Sequence, residues 1–172
     1  MKNLQHNYLP IVVIHLIATL LAMVSFLDFN IAGLSLAIPL FDVIIIYYFR
    51  VFRNIFSLTF LFFLGLIVDS LSGELLGLTS LLYIVNVKIF EYIETRLAIK
   101  EEFENVLRRF AAFLASFLFL KWLLLSVINY TSYGILVLVI QFGLSLVCYV
   151  VVHKILDEYC KKYIFDFSRK SL

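Results

Sequence analysis

Residues 62–85 read FFLGLIVDSLSGELLGLTSLLYIV. The stretch lies inside an apolar run too long for one membrane crossing, yet it holds two carboxylates, Asp69 and Glu74, and three glycines, Gly65, Gly73 and Gly77. A single helix threading lipid would bury both charges at a cost of several kcal/mol each. A fold-back removes the conflict. On that reading 54–87 is a hairpin of two crossings, and Asp-Ser-Leu-Ser-Gly-Glu at 69–74 is its turn. Gly73 supplies a positive φ without steric cost, and Ser70 and Ser72 can hydrogen-bond the exposed backbone. Glu74 then stands at the start of the following helix, where a carboxylate suits the positive end of the helix dipole.

Composition makes lipid the expected solvent. Of 172 residues, 63% are hydrophobic and 15% charged, and mean hydropathy is +1.03. Soluble domains run to about 45–50% apolar and about 25% charged residues, so a soluble chain of this size could not hide so much apolar surface. The N-terminal apolar stretch, from Leu9 to Leu27, is longer than the core of a signal peptide and reads as a retained helix. A formal net charge of +2 carries no basic surplus that would point to nucleic acid. Cys148 and Cys160 suggest neither a disulfide framework nor a metal site.

A crossing helix needs about 20 apolar residues. Six segments meet that measure, at roughly 9–27, 32–49, 55–71, 75–93, 110–128 and 132–153. The expected architecture is therefore all-α: one transmembrane domain over 1–172, a six-helix bundle. Lys and Arg set its orientation. Lys2, Arg50, Arg53, Lys88, Arg96, Lys100, Arg108, Arg109, Lys154, Lys161, Lys162, Arg169 and Lys170 all fall toward one side. The opposite loops, near 28–30, 69–74 and 129–130, carry none. Both termini are thus expected in the cytoplasm, with the hairpin tip on the other side. The polar segment 91–109 is expected to extend the fourth and fifth helices around a short turn, either as a solvated loop or as a docking surface. Glu104 and Arg108 there have helix-supporting spacing.

Ionisable residues inside the spans are the candidates for a role beyond packing. Lys121 lies roughly 18 Å from the level of Arg109, and Asp69 roughly 22 Å from that of Asn54, at helical rise. Asp42 and Lys88 lie nearer the cytoplasmic side. Matched depth allows two intramembrane pairs, Asp69 with Lys121 and Asp42 with Lys88. The plainer alternative is that both lysines snorkel and Asp69 sits among headgroups. Small residues four apart mark close helix packing, in the bundle or against a partner. Ala18 and Ala22 have that spacing in the first helix, as do Ala111 with Ala115 and Ala112 with Ser116 in the fifth. Pro39 should kink the second helix by removing a backbone donor. His6, His15 and His153 lack metal-ligand spacing, and no nucleophile-elbow, P-loop, zincin or Asp-rich diphosphate motif occurs. Neither a metal nor a cofactor is expected, nor an enzymatic site.

The hairpin resembles the family of bacterial rod shape-determining proteins called MreD. The family pattern is an apolar run leading into G-L-apolar-apolar-D-x-x-S-G, then L-G-L and a second apolar run. Here those positions are Gly65, Leu66, Ile67, Val68, Asp69, Ser72 and Gly73, followed by Leu76, Gly77 and Leu78. Pro39, Tyr47, Tyr48 and Arg50 fit the family's second helix, and chain length agrees; Leu75 stands where members often carry proline. The resemblance covers about a quarter of the chain at motif level and implies a non-enzymatic scaffold of the cell-wall elongation complex. Its expected direct partner is the single-span, coiled-coil MreC. The actin-like MreB filament, RodA and its transpeptidase belong to the wider complex, and the bacterial cytoplasmic (inner) membrane is the expected location. An alternative resemblance is to the substrate-binding S components of energy-coupling factor vitamin transporters. These are six-span proteins of similar size that dock a membrane partner through an A-x-x-x-A helix, here Ala18 and Ala22.

Overall fold

Backbone groups that meet no water must be satisfied within the chain, and the α-helix does this locally along each apolar run. A computed structural model describes residues 9–24, 30–31, 34–35, 40–73, 75–96, 103–129 and 135–160. The helices are α1 (Leu9–Val24), α2 (Phe41–Ile46), α3 (Leu58–Ser72), α4 (Leu78–Arg96), α5 (Phe103–Asn129) and α6 (Ile135–Cys160). A π-helical segment, Tyr47–Phe52, continues α2. A small antiparallel pairing of Asn30–Ile31 with Leu34–Ser35, β1 with β2, precedes α2. The fold is therefore helical, and α5 and α6 contain the helices long and apolar enough to cross a membrane. The apolar stretches Val12–Met23 and Leu58–Ser72 are shorter.

The second expected crossing, 32–49, needs correction. Helix begins only at Phe41, two residues after Pro39. Proline lacks the N–H for an interior helical bond and crowds the carbonyl four residues earlier, so a helix starts after it more readily than it runs through it. Pro39 itself, and the kink expected there, lie outside the described residues. So do Glu74 and residues 97–102 of the expected polar loop, although helix flanks that loop on both sides. The start of α2 is held from another helix, as the Leu40 N–H donates to Ser145 Oγ of α6 at 2.9 Å.

The short α2 and its π continuation form the centre. Asp42 through Phe49 are all buried, while α1, α4 and α6 pack around this element. The π segment turns both Tyr47 and Tyr48 inward. Tyr47 meets Phe110, Phe113 and Tyr149, and Phe110 stacks on Tyr149 with ring centroids 3.9 Å apart. Aromatic pairs of this kind add about 0.5–1.5 kcal/mol each beyond area burial. By contrast, α6 buries a narrow line, Ser145, Tyr149, His153 and Cys160, and turns most of its apolar surface outward. That distribution suits a bundle whose outer solvent is lipid.

Candidate functional site

The α3–α4 hairpin is built by the residues that its sequence pattern singled out. Gly65 is the crossing point: a Cβ there would meet Ser80 Cα at 2.4 Å, so only glycine permits this approach. The Ser80 hydroxyl donates across the same crossing to the Phe62 carbonyl at 2.8 Å. One turn on, Asp69 is 0% exposed. Its carboxylate accepts the Gly77 N–H at 2.7 Å and the Thr79 N–H at 3.1 Å. These amides belong to the start of α4, whose first donors have no intrahelical acceptor, so Asp69 caps the neighbouring helix. Gly73 ends α3 at φ 67° and Gly77 turns the chain at φ 92°, both in the left-handed region that favours glycine. Ser72 bonds back to the Asp69 carbonyl, and Leu76 is exposed at the turn.

Among the described residues, Asp69 and Lys88 take partners other than those expected from depth. Asp69 is engaged by the Gly77 and Thr79 amides, the open donors at the start of α4, rather than by Lys121. Lys88 pairs at 2.8 Å with Glu91, three residues along its own helix, rather than with Asp42. Asp42 accepts a hydrogen bond from the Tyr83 hydroxyl and is 3% exposed. Its neighbouring cation is Lys121. An opposite charge nearby favours the ionised form of a buried carboxylate, and the Tyr83 bond sets Asp42 against α4. Among the described residues the other Asp42 oxygen, Oδ1, has no hydrogen-bond partner.

A second polar layer joins α4 to α5. Asn86 donates to the Phe113 carbonyl at 3.1 Å, and the Ser116 hydroxyl donates to Asn86 Oδ1. Ser116 thus serves as a hydrogen-bond donor more than as a small packing residue. The other small-residue sites divide. Ala18 and Ala22 are each 1% exposed inside the bundle, whereas Ala112 and Ala115 are exposed and Ala111 is half-buried. Burial follows the face of each helix that meets the core, and the four-residue spacing alone does not name that face.

The opposite end of the bundle is clasped by charges. Arg50 spans two elements, with Nη1 on the Phe56 carbonyl at 2.7 Å and Nη2 on Glu91 at 2.5 Å. Arg53 pairs with Asp157 of α6, and the Tyr48 hydroxyl reaches the same carboxylate at 3.4 Å. Glu91 and Asp157 escaped the sequence reading. A lone acid near a helix end carries no mark of the arginine it will meet, and Asp157 lies 104 residues from Arg53. Tyr83 could have been noticed as a polar-tipped ring in an apolar run, since a buried tyrosine hydroxyl usually finds a partner. Among the described residues no cluster of three or more metal-ligating side chains occurs. An open apolar groove of about 250 Å³ lies between α5 and α6, lined by Leu118, Phe119, Trp122, Ile135 and Leu138.

No protein-family model matches the chain, and no solved structure matches it. An uncharacterized protein of Rickettsia prowazekii is 32% identical over 145 residues, a match covering 80% of this chain and 80% of the relative. With that identity maintained across four-fifths of both sequences, the chain belongs to the same family as the Rickettsia protein.

Proposed function

We propose that this is a six-span protein of the bacterial cytoplasmic membrane, with both termini in the cytoplasm. On this reading it is a non-enzymatic scaffold of the MreD type in the cell-wall elongation complex, binding MreC directly. Through that contact it would connect the MreB filament to RodA and its transpeptidase. The observation that carries the reading is the α3–α4 hairpin. The positions shared with the MreD pattern, Gly65, Asp69, Gly73 and Gly77, are the crossing, the cap and the two left-handed turn residues. Shared residues with such structural duties support a common hairpin architecture. The buried ionisable groups also have structural partners, consistent with a rigid scaffold.

The transporter S-component reading fares less well. Its docking pair would be Ala18 and Ala22, and both are 1% exposed within the chain's own core. The α5–α6 groove is lined by apolar side chains, unlike a vitamin pocket with convergent polar groups. The deciding experiment is a pull-down of the tagged chain from native membranes in mild detergent, with partners identified by mass spectrometry. Recovery of a single-span coiled-coil protein with the elongation synthases is expected. Recovery of two ATPases and a large membrane coupling protein would overturn the scaffold reading.

A further inference from the structure

Two deeply buried side chains keep polar atoms that no other described residue satisfies. Asp42 and Thr79 are each 3% exposed, and both Asp42 Oδ1 and Thr79 Oγ1 lack a hydrogen-bond partner. The Tyr83 hydroxyl takes up the other Asp42 oxygen. The Asp42 and Val43 amides lie near the carboxylate without bonding Oδ1. At Thr79 the backbone amide is used by Asp69, which leaves the hydroxyl over. An unmet polar atom is destabilising in an apolar interior, so native structures satisfy nearly all of them with protein groups or bound water.

Both atoms lie at the level of Lys121. Helices α4 and α5 run antiparallel, with Asn86 bonded to the Phe113 carbonyl and to the Ser116 hydroxyl. One turn nearer the start of α4, the Tyr83 ring stacks on Phe117 with centroids 5.7 Å apart. A further turn in the same direction sets Thr79 across from Lys121. From its place on Phe117, Tyr83 reaches Asp42 of α2, whose neighbouring cation is again Lys121. A carboxylate, a hydroxyl and an ammonium thus meet from three helices. The carboxylate oxygen only accepts, the ammonium only donates, and the hydroxyl does both. One water molecule can donate to Oδ1, accept from the ammonium and bond the hydroxyl, the usual complement of about three bonds for a buried water. Lys121 would repel a metal cation, and the burial of Asp42 and Thr79 excludes a larger solute.

We infer that Asp42 Oδ1, Thr79 Oγ1 and the Lys121 ammonium share one bound water, which ties α2, α4 and α5 together in the half of the bundle away from Arg50 and Glu91. The site lies among the chain's own helices, so it stands or falls apart from the scaffold reading. The test is a crystal structure of the full chain, at a resolution that shows ordered water, for the wild type and for Thr79→Val. In the wild type a water peak is expected within about 3.2 Å of Asp42 Oδ1, Thr79 Oγ1 and Lys121 Nζ. Thr79→Val keeps the shape of the side chain and removes the hydroxyl, and there the peak should lose most of its occupancy. Direct contact of Asp42 Oδ1 with Lys121 or Thr79, with no water between, would overturn the inference. So would a water on Asp42 that leaves out Thr79 or Lys121, a peak coordinated as a metal ion, or a water that persists undiminished in Thr79→Val. The wild-type structure decides the question alone should Thr79→Val fail to fold.

Discussion

Replacing Asp69 tests the hairpin at its most heavily used side chain. In Asp69→Ala the Gly77 and Thr79 amides lose their acceptor. A buried donor left unsatisfied costs about 1–3 kcal/mol, and hydrogen bonds to a charged group lie at the upper end of the usual range. Two such donors would set a loss of about 2–6 kcal/mol if the site could not relax. In membranes the unfolded reference finds substitute partners, and measured interhelical hydrogen bonds average only about 0.6 kcal/mol. A value of about 2–4 kcal/mol is therefore expected. For a chain of this length, that lowers the melting temperature by roughly 4–16 °C at about 2–4 °C per kcal/mol. Asp69→Asn keeps one oxygen acceptor and should lose about half as much. The assay is thermal unfolding of the purified chain in mild detergent, with each variant compared at equal concentration. A loss below about 1 kcal/mol in Asp69→Ala, or equal losses in the two variants, would refute the capping role.

Three further outcomes follow from the packing. Gly65→Ala should cost about 1–3 kcal/mol through overpacking against the Ser80 backbone. Gly143→Ala on α6, where an added Cβ meets nothing, should instead be neutral or stabilising by up to about 1 kcal/mol; the same melting assay reads both. In double-mutant cycles, Lys121→Met should couple with Asp42→Asn and be additive with Asp69→Asn, and the reverse pattern would restore the pairing expected from depth alone. Ala18→Leu, inside the core, should lower stability by about 1–3 kcal/mol. Ala112→Leu, on an exposed face, should change it by less than about 0.5 kcal/mol. Equal effects of the two would show that burial does not separate these small-residue sites.

Much of the architecture was legible in the sequence because it depends on near-neighbour chemistry. Apolar run length marked five helices close to where they lie, and Ser-Gly-Glu between two such runs marked the turn at Gly73. The second helix was drawn too long because hydropathy continues smoothly across 32–49. It does not register that proline disrupts a helix running through it. The π segment was equally invisible, since a five-residue hydrogen-bond register leaves no simple mark in composition.

Partner choice was a different matter. Matched depth along separate helices suggested Asp69 with Lys121 and Asp42 with Lys88, but depth fixes only one coordinate. The rotation of each helix about its own axis supplies the other, and packing sets it. Rotation brought Asp69 to the open amides of α4, Asp42 to Tyr83 and toward Lys121, and Ala18 and Ala22 inward while Ala112 and Ala115 faced out. Residue order was enough to lay down the helical elements, the glycine turn and the demand that buried charge be satisfied. Which groups satisfy it was settled by helix packing, because electrostatic and hydrogen-bond energies fall off within a few ångströms and those distances exist only after the helices dock.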